Sequence, residues 1–293
     1  MFKGSIVAIV TPFNNGKIDK KALTNLVKWH IRHKTDGIVV NGTTGETPTL
    51  TREEQKENIY TVLEAVDSKI PVIAGVGSNS TEHTIENAKT AISCGVDGLL
   101  VVTPYYNKPS QEGLYQHFKR VSELSKTPTI LYNVPGRTGI SLKTETVLRL
   151  SELKNIVGIK EAGGDFKMVM EISATRPDFI ILCGDDSLNL PMAAVGSKGA
   201  ISVTANVAPD LMSKMYRHIN DGNFVEAKKI HLKLRHLNTI LFIESNPIPV
   251  KAALSLMGKI KNELRLPLTQ ISKENLKRLK QTLDTYYPEL YKI

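Results

Sequence analysis

Lys160 stands at the end of an apolar run. In Asn155-Ile156-Val157-Gly158-Ile159-Lys160-Glu161-Ala162-Gly163, strand-forming residues give way to an amine and then to glycines. A short run this apolar, bounded by turn signals, reads as a strand buried on both faces. Lys160 then sits where the strand leaves the core, and partial loss of water is expected there to favour its neutral amine. A neutral lysine amine attacks carbonyls, whereas an ammonium does not. Most lysines are solvated surface residues, so the assignment rests on what surrounds this one. Tyr132 ends the preceding strand and is expected within reach of Lys160, where a phenol can shuttle protons during imine formation.

Other chemistry-bearing residues follow the remaining strands. Gly42-Thr43-Thr44-Gly45 offers two hydroxyls and several backbone N–H groups in a tight loop, without the lysine of a P-loop. Such a loop binds a carboxylate or passes a proton, and its spacing equally suits a plain turn. Arg137, behind Pro135-Gly136, is placed to hold a carboxylate bidentately or to remain a surface arginine. Asp185 and Asp186 follow the seventh strand, where phosphate-binding barrels place glycines and a helix N-terminus, so a phosphorylated substrate is disfavoured. Glu46 and Glu161 are read as partners for loop N–H groups rather than as an acid/base pair. His30 and His33, three apart on a helix, join no set with metal-ligand spacing, and neither do His231 and His236. No metal and no cofactor is expected. Cys94 and Cys183 are far apart with no C-x-x-C spacing, which suggests neither a disulfide nor a thiolate zinc site.

These residues need a scaffold that brings strand ends together. Eight apolar strands recur about every thirty residues: 5–10, 37–40, 71–74, 98–102, 129–132, 156–159, 179–183 and 199–203. Amphipathic helical stretches separate them, over 19–33, 51–66, 81–93, 111–124, 141–153, 166–174, 187–195 and 208–221. The second opens with Thr51 and Glu54 in capping-box spacing. Eight such units imply a parallel (β/α)8 barrel with its site at the C-terminal rim of the strands. An open doubly wound sheet would require a glycine-rich fingerprint after the first strand, and Thr11-Pro12-Phe13 is not one. Helices over 224–242, 249–256 and 272–282 form a small C-terminal extension, which divides the chain into a catalytic barrel (1–222) and a helical domain (223–293).

The chain has 293 residues, 41% of them hydrophobic, ample for one large core. The apolar stretch Ile6–Val10 is too short for a signal-peptide core or a membrane span, so a cytoplasmic protein without membrane contact is expected. The formal charge of +9 is spread among acidic residues along helices, which argues against nucleic acid and for solvated helix faces. The positive field is suited to attracting small anions.

Taken together, Gly42-Thr43-Thr44-Gly45-Glu46, Tyr105-Tyr106-Asn107-Lys108-Pro109, Tyr132-Asn133-Val134-Pro135-Gly136-Arg137-Thr138, Gly158-Ile159-Lys160-Glu161 and Gly184-Asp185-Asp186 carry a resemblance. The chain resembles, over essentially its whole length, the dihydrodipicolinate synthase family of lysine-imine aldolases. The resemblance implies that Lys160 forms a Schiff base with pyruvate, and that the resulting enamine attacks L-aspartate 4-semialdehyde, a step towards diaminopimelate and lysine. It implies that Tyr132 donates and accepts protons, with Thr43 and Tyr106 completing a relay. In that relay Tyr106 reaches into a neighbouring subunit of a homotetramer built as a dimer of dimers. Thr44 and Ile201 would hold the pyruvate carboxylate, Arg137 the carboxylate of the semialdehyde, and Gly184 joins the substrate-binding set.

One departure concerns feedback by lysine. Lysine-inhibited relatives hold the effector with a histidine and a carboxylate. The matching positions here are Gln55 and His83, with Arg52 nearby, while Asn79 and Tyr105 are retained. Without the acidic partner an ammonium group is expected to bind poorly, so inhibition by lysine is expected to be weak or absent. Two rival readings remain at this stage. One is a lyase of N-acetylneuraminate or a 2-keto-3-deoxy sugar acid, which shares Lys160 and Tyr132 but generally lacks Arg137. The other is a non-catalytic barrel that senses pyruvate-like acids.

Overall fold

The computed structural model describes residues 2–290. Eight parallel strands close on themselves: β1 (Gly4–Ala8), β2 (Gly37–Val40), β3 (Val72–Gly75), β4 (Gly98–Val102), β5 (Thr129–Asn133), β6 (Ile156–Glu161), β7 (Ile180–Cys183) and β8 (Gly199–Ser202). Each pairs with its sequence neighbour, and β8 returns to β1 with Ile201 opposite Ile6. The expected (β/α)8 barrel is the observed architecture.

Side chains alternate across each strand, and both sets are apolar. Along β5, Ile130 and Tyr132 join an interior cluster with Ile6, Val39, Ile73, Leu100, Leu182 and Ile201. Leu131 instead faces the helices, in the larger shell that includes Ile38, Val101, Ile159 and Ile181. Burial on both faces is why the strands appear in the sequence as continuous runs rather than alternating ones.

Helix starts follow capping chemistry. Thr51 accepts from the Glu54 N–H at 3.2 Å while the Glu54 carboxylate accepts from the Thr51 N–H at 3.0 Å, completing the expected capping box. Two helix starts and one added element stand out against expectation. The helix expected over 141–153 spans only Thr144–Leu150, because the Leu142 and Lys143 N–H groups go to the Asn133 and Gln111 side chains. The helix expected from residue 187 begins at Asn189, since Asp185 captures the Ser187 N–H at 2.9 Å. After β1 the chain makes a small ribbon, Phe13–Asn14 against Lys17–Ile18. Its turn residues Asn15 and Gly16 both have left-handed φ, of 53° and 76°, as the Asn-Gly hairpin turn requires.

Beyond residue 222 come helices Phe224–Ile240, Ile248–Leu256 and Lys273–Tyr286, packed on the barrel through Leu234, Leu237, Val250 and Leu279. The last three residues of the expected helical domain lie outside the described residues. No helix among the described residues is long and apolar enough to cross a membrane.

One core group gives a pH prediction. His30, on helix Lys20–Arg32, is fully buried with Nδ1 3.1 Å from the Thr35 hydroxyl. Burial, reinforced by His33 and Lys259, lowers its pKa from 6.5 to about 3. Because the folded value lies below the unfolded one, the unfolded chain binds more protons as the pH falls. The native state is therefore fully favoured above pH 6.5, and the contribution is lost progressively down to about pH 3. At pH 4 this group alone costs about 3 kcal/mol. A His30→Gln variant is expected to show a correspondingly smaller drop in unfolding free energy between pH 7 and pH 4, measured by urea denaturation.

Candidate active site

Lys160 lies within β6, one residue before its end, rather than beyond the strand as its sequence suggested. The strand continues because Tyr132–Asn133 of β5 and Leu182–Cys183 of β7 pair with Lys160–Glu161. Lys160 and Tyr132 are direct cross-strand partners, both facing inward, with 6% and 7% of their surface exposed. The Lys160 Nζ stands 4.1 Å from the centroid of the Tyr132 ring. Gly184, where β7 ends, leaves room for this amine: a Cβ there would lie 2.9 Å from Lys160 Cε and 2.6 Å from Ala162 Cβ.

These residues open into a cavity of about 480 Å³ at the C-terminal rim of the barrel. The structure brings Thr43, Thr44, Arg137, Gly184 and Ile201 to its wall with Lys160 and Tyr132. Thr43 and Thr44 sit in a single 3-10 turn after β2, and the Thr11 hydroxyl donates to the Gly45 carbonyl at 2.7 Å to hold it. Arg137 comes from the turn Pro135–Thr138, started by proline at its first position. The exit of β8 is fixed by Asp186, whose carboxylate accepts from the Val203 and Thr204 N–H groups at 2.9 and 2.8 Å. Glu161, beside Lys160, accepts from Asn133 Nδ2 at 2.7 Å and from the Gly163 N–H; burial raises its pKa, opposed by those hydrogen bonds. Amine, phenol, two hydroxyls and a guanidinium thus share one cavity, a set suited to imine chemistry on a small oxo acid.

Tyr106 is not among them. It is 88% exposed, with a left-handed φ of 74°, and lines neither this cavity nor its neighbour. A second cavity, of about 450 Å³, shares Thr43, Tyr132 and Arg137 with the first and is lined by Arg52, Gln55, His83 and Tyr105. Asn79 lies outside that lining; its carbonyl accepts from Asn107 Nδ2 at 2.8 Å. Arg52 is paired with Glu86, and no carboxylate side chain lines either Gln55 or His83 within the cavity wall. Among the described residues no group of three or more His, Cys, Asp or Glu side chains is arranged to hold a metal ion.

Sequence reasoning missed the contribution of the C-terminal helices. Asn238, Thr239, Phe242 and Asn246 line the cavity. Asn246 Nδ2 donates to the Thr44 hydroxyl at 2.9 Å, and its carbonyl accepts from Arg137 Nη2 at 3.1 Å. The available signal was a polar Asn set among the prolines of Asn246-Pro247-Ile248-Pro249, which read only as a helix break.

Comparison with known proteins agrees with this geometry. A family model described as the dihydrodipicolinate synthetase family matches residues 1–286. The 4-hydroxy-tetrahydrodipicolinate synthase of Thermodesulfovibrio yellowstonii is 53% identical over 284 residues, covering 97% of this chain and 98% of the relative. Among solved structures, the 4-hydroxy-tetrahydrodipicolinate synthase of Methylacidiphilum fumariolicum superimposes with a TM-score of 0.97 at 46% identity, covering 100% of this chain and 98% of that one. The chloride-inhibited dihydrodipicolinate synthase of Acinetobacter baumannii, solved with pyruvate, gives a TM-score of 0.95 at 46% identity, with 97% and 98% covered. The chain belongs to the dihydrodipicolinate synthetase family.

Proposed function

We propose that this chain condenses pyruvate with L-aspartate 4-semialdehyde to give 4-hydroxy-tetrahydrodipicolinate, the activity for which its relatives are named. The observation that carries the reading is the buried pair of Lys160 and Tyr132, adjacent across two strands at the floor of the cavity in the barrel mouth. The Lys160 amine adds to the ketone of pyruvate and water leaves, giving an imine. Loss of a methyl proton converts it to an enamine, whose carbon attacks the aldehyde. Tyr132 moves protons to and from the reacting oxygen and nitrogen, and Thr43 extends the path. The Thr44 hydroxyl and the backbone at Ile201 and Gly184 hold the pyruvate carboxylate; Arg137 takes the second substrate's carboxylate. A sugar-acid lyase would use the same amine, but the full-length relatives at about half identity carry the synthase name.

The assembly we assign is a homotetramer, a dimer of dimers, in which Tyr106 completes the relay of a neighbouring subunit. Its support is a large aromatic side chain held outward in a left-handed conformation. We place the protein in the cytoplasm, in keeping with its biosynthetic relatives, and divide it into a catalytic barrel and a helical domain after residue 222. For the second cavity we keep the expectation of poor lysine binding. Gln55 and His83 present no anion to an ammonium, so the synthase is expected to retain most of its activity in millimolar L-lysine. Near-complete inhibition at submillimolar lysine would refute it.

The deciding experiment is borohydride reduction in the presence of pyruvate, followed by peptide mapping and the coupled synthase assay. A mass increase confined to the Lys160 peptide, with turnover of aspartate semialdehyde and not of N-acetylneuraminate, is expected. Absence of the adduct would sink the imine mechanism.

A further inference from the structure

The turn that carries Thr43 and Thr44 is anchored from the far end of the chain. Glu46 closes it: its backbone is left-handed (φ 56°) and its N–H donates to the Thr43 carbonyl at 3.1 Å. The Glu46 carboxylate faces away from the cavity. One oxygen meets Lys251 Nζ at 2.5 Å and the other accepts the Arg265 N–H at 3.0 Å. Lys251 is the single charged residue of helix Ile248–Leu256. Its ammonium also donates to the Thr11 carbonyl at 2.9 Å and lies 4.3 Å from the Phe13 ring centroid. Both side chains of the ion pair are 0% exposed.

A fully buried ion pair is a poor device for stability, because the desolvation of two charges offsets their attraction and an apolar pair often does as well. What it does supply is direction. The carboxylate must meet an ammonium and an N–H at fixed points, which sets the position of a loop held in a sparsely populated backbone conformation. Just before this helix, Asn246 holds the Thr44 hydroxyl itself. We propose that Glu46 and Lys251 are positioning residues, which set where the Thr43 and Thr44 hydroxyls stand relative to Lys160 and Tyr132. The helix Ile248–Leu256 is thereby part of the machinery of the barrel mouth and not a mere appendage.

This inference rests on the imine reading of Lys160, so the parent enzyme is first trapped with pyruvate and borohydride. No adduct in the parent would overturn that reading and this inference with it, whereas a parent that traps leaves the variants to decide the positioning role alone. Glu46→Gln and Lys251→Met each leave a buried charge unpaired, and both are expected to lower the thermal midpoint. The double variant removes both charges and is expected to recover the midpoint, while kcat stays down by about a hundredfold, the effect of a misplacement of about 1 Å. Recovery of kcat together with the midpoint would mean a purely structural pair and would overturn the proposal. Glu46→Asp keeps the charge and the fold while drawing the carboxylate back by one methylene. A fall in kcat at an unchanged midpoint supports positioning, and an unchanged kcat overturns it, even if the neutral variants fail to fold.

Discussion

Replacing Lys160 with methionine is expected to lower kcat/KM by at least about 10⁵-fold, the low end of the effective molarity of a well-oriented intramolecular group. The change removes the nucleophile and little else. Methionine is unbranched and of similar length, so it fills the space between the Tyr132 ring and Gly184 without adding a branch where a Cβ already has no room. Losing a buried amine costs no ion pair, since among the described residues Lys160 takes part in no salt bridge, and the thermal midpoint is expected to stay within a few degrees of the parent. Lys160→Arg separates nucleophile from charge. A guanidinium places a cation over the ring but cannot shed its proton, so arginine is expected to be as inactive as methionine. Partial activity in the arginine variant would mean that the residue acts through its charge, and the covalent route would fall.

Much of this site was legible in the sequence because a barrel converts strand ends into neighbours. The apolar run before Lys160 and the one before Tyr132 each mark a strand buried on both faces. Parallel order then makes the two residues adjacent without any knowledge of side-chain contacts. The limits were equally physical. Lys160 was expected to leave the strand, yet the pairing partners on β5 and β7 extend beyond the apolar residues and carry β6 to Glu161. Helix starts were misjudged wherever a distant side chain, such as Asn133 or Gln111, took a backbone N–H that local periodicity assigned to the helix. Hardest to foresee were contacts spanning most of the chain. Asn246 reaches Thr44 across 202 positions and Lys251 reaches Glu46 across 205. The local signs were a polar Asn among prolines and, for Lys251, the single charged residue of its helix, which asks for a buried partner but does not name it.

Tyr132→Phe tests the proton path, and its expected cost is about 10²- to 10⁴-fold in kcat, the range of a positioned general acid/base. Phenylalanine preserves the ring that packs with Ile130 and Leu182 inside the barrel and that lies beside the Lys160 amine. Fold and cavity shape should therefore persist while the O–H is lost. Thr43→Val is expected to lose less, because it removes a hydroxyl further along the same path while roughly conserving volume. The two changes together decide whether there is one path. Groups acting in series are strongly non-additive, so the double variant should be barely slower than Tyr132→Phe alone. Losses that multiply would mean that Thr43 and Tyr132 act on different protons, and the shared relay would be wrong even with the imine intact. The split between steps is informative too. Borohydride trapping of pyruvate should slow in Tyr132→Phe while still reaching one adduct per chain, because the amine remains in place and only the proton transfers around it have lost their carrier.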